Sequence, residues 1–181
     1  MARLSRLKFN NPEEGYYHVV SWMVQQEFLM GDKEKEFFLT LLKKLAQVYF
    51  VRMATFTIMS NHVHLIFQMI PSDQVSDEDL RRRFNLYYNE DVPKKRQRVL
   101  CDGDHDRYRQ RLSDVSCFIQ DLKQRFSRWY NREHKRYGHV WVERFKSVLL
   151  GNIRALLACM VYVELNAVRA GFVDCPEEYR Y

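Results

Sequence analysis

The 181 residues carry 29 Lys and Arg against 23 Asp and Glu, a formal net charge of +6, with 46% hydrophobic and 14% aromatic residues and only six glycines and four prolines. That composition excludes a disordered or low-complexity chain and is enough for one domain, residues 1–181, with a substantial core. The positive balance favours a polyanionic partner.

The opening MARLSRLKFNNPEEG lacks the apolar core of a signal peptide, and no window approaches the ~18 apolar residues of a membrane span. Cys101, Cys117, Cys159 and Cys175 form no CxxC pair, so reduced thiols and a cytoplasmic location away from membranes are expected. Tyr16 to Val24, YYHVVSWMV, is β-branched and aromatic and reads as a first strand. Gly31 and Asp32 then stop the strand and cap a helix. Phe37, Phe38, Leu41, Leu42, Leu45 and Val48 recur at helical spacing along it. Met53 to Ser60 reads as a second strand. Ser60 and Asn61 turn the chain into a third, His62 to Gln68.

Residues 71–115 are highly charged, with Pro93 and Gly103, and read as an insertion of short helices and loops whose charges face solvent. Val115 to Arg136 is a long amphipathic helix with an apolar stripe of Phe118, Leu122, Phe126 and Trp129. A basic stripe of Arg125, Arg128, Arg132 and Lys135 runs beside it. HVWVERFKSVLL reads as one strand or two short ones. Asn152 caps a last helix that Gly171 ends, with Leu156, Leu157, Met160, Val161 and Leu165 as its packing residues. This order implies an α+β fold, a ferredoxin-like antiparallel sheet with helices packed on it and a charged helical insertion.

MSNHVHLIF, residues 59–67, sets two histidines into an apolar run, where a polar group costs free energy without a partner. Side chains alternate along a strand, so His62, His64, Ile66 and Gln68 share one face. Two adjacent imidazoles there can hold one cation; the plainer alternative is one hydrogen-bonded histidine and one exposed at the strand end. The last helix carries Tyr162 and Asn166 one turn apart, with Glu164 well round from them. If that helix packs on the histidine face, the four side chains converge. Two imidazoles and an amide oxygen with open positions suit Mn²⁺ or Mg²⁺, and a tyrosine beside them is a candidate nucleophile.

These blocks resemble a known family. NHVHLIF is similar to the His-hydrophobic-His strand of the HUH endonucleases. YVELNAVRAGFV resembles the tyrosine helix of the REP-associated tyrosine transposases, a single-tyrosine group. In that family MPNHVHLL precedes a basic helix, a GHL-aromatic…GRFKS segment and YIHLNPVRAGLV. This chain has MSNHVHLI, QRFSRWYNR, GHVWVERFKS and YVELNAVRAGFV, and its opening MARLSRL and YYHVVSW are similar as well. Ser60 and Ala167 stand where the family has proline, and Glu143 where it has glycine.

The resemblance implies an HUH fold, with His62, His64 and Asn166 as metal ligands and Tyr162 as nucleophile. It implies a metal-dependent transposase that nicks and rejoins single-stranded DNA through a 5′-phosphotyrosine. The substrate would be a hairpin flanked by a short guide, and the protein would act as a monomer or homodimer. Arg125, Arg128, Arg132 and Lys135, with Arg144 and Lys146 on one strand face, are the expected phosphate contacts; an ordinary solvated helix face is the alternative for the first four. Trp141 and Phe145 are expected in the core rather than against bases. Tyr130 has no asparagine one turn on and is not a candidate nucleophile. A histidine-triad nucleotide hydrolase would need a third histidine at Ile66. A domesticated hairpin-binding protein without catalysis, or a structural metal site, would leave Tyr162 without work.

Overall fold

The computed structural model describes residues 15–24, 29–90 and 92–181; the MARLSRL segment lies outside the described residues. Four strands, β1 (Tyr16–Trp22), β2 (Val51–Ile58), β3 (His62–Met69) and β4 (Lys146–Leu150), form one sheet in the order β2-β3-β1-β4. Every neighbouring pair is antiparallel. The helix α1 (Asp32–Val48) crosses from β1 to β2, and α4 (Val115–Glu133) crosses from β3 back to β4. This is the ferredoxin-like arrangement expected from the order of elements.

Local chemistry sets the boundaries. Gly31, not Asp32, is the N-cap of α1: its N–H donates to Glu34 Oε2 at 2.9 Å, and Asp32 begins the helix. β2 starts and ends two residues earlier than the sequence suggests, and a register shift between Met53 and Thr55 bends it. α4 ends at Glu133 because Lys135, at φ 48°, leaves the helical region. β1 stops at Trp22, although Met23 still bridges to Trp141.

Strand alternation divides the sheet. Tyr17, Val19, Val63, Leu65 and Phe67 face α1 and α4 in the main core, with Phe38, Leu42, Leu45, Phe118, Leu122 and Phe126. Phe67 meets Phe118, and Phe38 meets Phe126, edge to face at 5.3 Å between ring centroids. Trp141 and Phe145 are buried in the same core. The opposite face carries a smaller cluster of Ile66, Leu150, Leu156 and Val163, which seats α5 (Ile153–Glu164).

The charged segment 71–115, expected as an insertion, forms α2 (Asp77–Tyr88) and α3 (His105–Leu112), and it is not merely solvated surface. Its Leu80, Phe84, Leu100 and Leu112 are buried in the main core. Arg83 Nη1 donates to the carbonyls of Gln47 and Tyr49 at 3.0 and 2.8 Å, satisfying the open end of α1, while Asp79 holds its Nε at 2.7 Å. Asp121 on α4 accepts from the hydroxyls of Tyr49 and Tyr87, and from Arg111 Nη2 at 3.0 Å. Burial, and then the Asp121 carboxylate, push the Tyr49 phenol well above its ordinary value, so Tyr49 stays a hydrogen-bond donor. Among the described residues no helix is long and apolar enough to cross a membrane.

Replacing Asp121 with Ala strips two phenols and a guanidinium of one shared acceptor. Urea denaturation should show a loss of about 1–3 kcal/mol, whereas the exposed Asp73→Ala should change stability little.

Candidate active site

Of the four side chains expected to converge, His62, His64 and Tyr162 lie together, whereas Asn166 makes no hydrogen bond to them. Thr57 on β2 donates its hydroxyl to the Val163 carbonyl at 2.7 Å, a buried bond that fixes α5 one residue from Tyr162. Leu156 and Val163 are the buried contacts of α5, with Cys159 and Met160 partly buried beside them. Leu157 and Val161, expected as packing residues, are instead 55% and 56% exposed, and Leu165 is exposed as well. Apolar residues lie all round this helix, so its sequence period does not say which face meets the sheet. The last helix is also broken at Leu165: Asn166–Arg169 forms a separate turn, α6, and Gly171 follows at φ 71°. Glu164 lies on the other flank and accepts from Thr55 Oγ1 at 3.3 Å.

The Tyr162 ring meets the His64 ring edge-on at 5.6 Å between centroids, and Tyr162 is 43% exposed. His62 and His64 lie 4.9 Å apart, also edge to face. Both are hydrogen-bonded, unlike the plainer alternative of one bonded and one exposed histidine. His62 Nδ1 lies 2.6 Å from Asn61 Oδ1, and His64 Nδ1 lies 2.9 Å from His18 Nε2. Asn166 opens α6 one turn past Tyr162 and is half-buried; its side chain makes no hydrogen bond to the histidines.

Two further residues join the site. His18 on β1 faces the same way as His64, because Val20 pairs with His64 and His18 with Ile66. Its ring lies 5.2 Å from His64 and 6.3 Å from Tyr162. The signal was present, a lone histidine within YYHVV, but its meaning depends on the β1–β3 register. Arg169 places its guanidinium 5.6 Å from the Tyr162 ring centre. Ile66, where a triad hydrolase needs histidine, is fully buried under α5.

Burial holds all three imidazoles below the usual histidine range. His64 goes furthest, to about 3, through burial and then the neighbouring His62 and His18. A neutral imidazole is the form that ligates a cation. Among the described residues no group of three or more His, Cys, Asp or Glu side chains is arranged to hold a metal. A cation on His62 and His64 would have to complete its shell with other oxygen donors, such as water, a substrate phosphate or the Asn166 amide. The donor set fits a divalent ion of the Mg²⁺ or Mn²⁺ class.

The basic residues separate. Arg128 and Arg144 line a cavity of about 590 Å³ between α4 and residues 138–145, with Lys123 and Trp141 in its wall. Arg144 precedes β4 rather than sharing a strand face with Lys146. Arg132 and Lys135 are exposed near the end of α4. Arg125 lies over the Tyr87 ring at 4.7 Å, against the insertion. Lys146 pairs with Val20 on the histidine face and lies 5.1 Å from the Trp22 ring centre.

Thr57→Val keeps the side-chain shape but removes the bond to Val163. Denaturation should show a loss of about 1 kcal/mol, and amide exchange should quicken in α5 more than in α1.

A family model described as "Transposase IS200 like" matches residues 12–105, just over half of the chain. No curated protein matches in sequence. Among solved structures, the chain is similar to a REP-associated tyrosine transposase bound to a REP hairpin: TM-score 0.64, 11% identity, covering 100% of this chain and 81% of that one. It is also similar to a putative transposase from Deinococcus radiodurans R1: TM-score 0.45, 12% identity, covering 91% and 96%. The fold is therefore that of the REP-associated transposase, as the motifs led one to expect.

Proposed function

Because the chain belongs to the IS200-like transposase family, we propose that it is a metal-dependent single-stranded DNA endonuclease and strand transferase whose nucleophile is Tyr162. The observation that carries this reading is the seating of Tyr162, half-exposed, edge-on to the buried His64.

The Tyr162 oxygen attacks the phosphorus of a scissile phosphodiester. A bond forms from Oη to phosphorus, and the bond from phosphorus to the 3′-oxygen breaks. The products are a 5′-phosphotyrosine and a free 3′-hydroxyl; the phenolic proton passes through water, and the departing oxygen takes one up. Attack by a 3′-hydroxyl on the phosphotyrosine reverses these steps, restores the phenol and rejoins the strand without ATP. Arg169 keeps positive charge beside the ring. Held by His62, His64 and Asn166, a divalent cation would polarise the phosphodiester. With burial disfavouring its protonated form, His64 serves as a ligand rather than a general acid.

The solved relative's partner is a REP hairpin, and a hairpin with a single-stranded flank is the proposed substrate here. Lys146 lies on the histidine face, and Arg128 and Arg144 line the cavity beside α4. They supply separate phosphate contacts. Arg132 and Lys135 extend the basic surface, and Arg125 contributes less because it is held against Tyr87.

The test is incubation with labelled hairpin oligonucleotides from the genomic flanks, with Mn²⁺ or Mg²⁺. Wild-type protein should give cleavage and a covalent adduct, both lost in Tyr162→Phe and His64→Ala. Equal hairpin binding by all three without any adduct would leave a non-catalytic DNA-binding protein instead. Arg128→Ala with Arg144→Ala should weaken binding across sequences and lower the slope of log affinity against log salt by about 1 for each phosphate no longer neutralised, read by fluorescence anisotropy.

A further inference from the structure

His18 Nε2 and His64 Nδ1 lie 2.9 Å apart, so one proton sits between them. The two rings are 16° from parallel, and His64 is 4% exposed, which limits water as an alternative partner at that nitrogen. Two arrangements are open to a neutral pair. In one, His18 donates, and His64 carries its own proton on Nε2. In the other, His64 donates through Nδ1, and its Nε2 lone pair is bare.

The neighbouring histidine settles which arrangement is useful. Asn61 Oδ1 can only accept, so His62 carries its proton on Nδ1, 2.6 Å away, and keeps Nε2 free. A cation shared by the pair needs His64 in the same form. If His18 donated, just one ring of the two would have a lone pair to give.

We propose that His18 is a positioning residue for His64: its Nε2 accepts a hydrogen bond from the Nδ1–H of His64, fixing the tautomer and ring orientation that leave Nε2 of His64 free for a divalent cation. Asn61 does the same for His62. The inference rests on the reading that these two histidines hold the cation. It adds that the site is completed from β1, through the Val20–His64 register that sets His18 diagonally opposite His64. Ligating histidines whose other nitrogen is held in this way lose about 10–100-fold in metal affinity when the partner is removed.

The experiment compares wild type with His18→Phe, which keeps a ring but no acceptor, and His18→Gln, which returns an amide oxygen near the lost Nε2. His64→Ala is the control, and circular dichroism establishes folding of each variant. Mn²⁺ affinity is read by isothermal titration, and the His64 tautomer of the metal-free protein by long-range ¹⁵N–¹H NMR. Wild type should show His64 protonated on Nδ1. His18→Phe should lose that preference and bind Mn²⁺ about 10–100-fold more weakly, and His18→Gln should recover most of both. A wild-type His64 protonated on Nε2 overturns the proposal. So does full Mn²⁺ affinity in folded His18→Phe when His64→Ala has lost it. Absence of Mn²⁺ uptake by wild type overturns the cation reading itself, and this proposal with it.

Discussion

A buried hydroxyl-to-carbonyl bond from Thr57 to Val163, with the apolar contacts of Ile66, Leu150, Leu156 and Val163 around it, seats α5 on the sheet. The rest of the site depends on that seating. It brings Tyr162 over β3 and His64, turns Glu164 away to Thr55, and leaves Asn166 to open the next helical turn. The cluster is small beside the main core on the opposite face. In the proposed reaction, the nucleophile would therefore sit on the side of the sheet with the smaller core.

Rigidity comes from the other face. The α1 and α4 layer packs against Val19, Leu65 and Phe67, and the insertion braces it from outside. Arg83 closes the end of α1, and Asp121 gathers phenols from Tyr49 and Tyr87 with the Arg111 guanidinium. The shared carboxylate ties together the end of α1, α2, α3 and α4, although Arg111 Nε is buried without a partner. The histidine-bearing strands are therefore backed by a core that includes the residues that looked most like surface.

Local patterns in the sequence carried much of this. Period-two alternation placed His62 and His64 together on one face, helical spacing gave the buried faces of α1 and α4, and the order of elements gave the sheet. The spacing of Tyr162 and Asn166 marked that helix, but whether Tyr162 meets His64 depended on one packing choice. What escaped notice was non-local. His18 gains meaning from the β1–β3 register, which YYHVV does not reveal. The arginines of the insertion read as solvated because their partners lie elsewhere in the chain, 34 residues away for Arg83 on Tyr49 and 10 for Arg111 on Asp121. Leu157 and Val161 read as packing residues because a helix apolar on every side gives no period to follow.

In the proposed reaction Tyr162 takes a DNA 5′-phosphate. That step is tested most directly by trapping the reaction on a hairpin oligonucleotide, digesting the protein and mapping the modified peptide by mass spectrometry. The expected product carries a 5′-phosphonucleotide on Tyr162, within the peptide containing YVELNAVR. An adduct on Tyr130 or another residue, or cleavage that leaves Tyr162 unmodified under every trapping condition, would contradict that role.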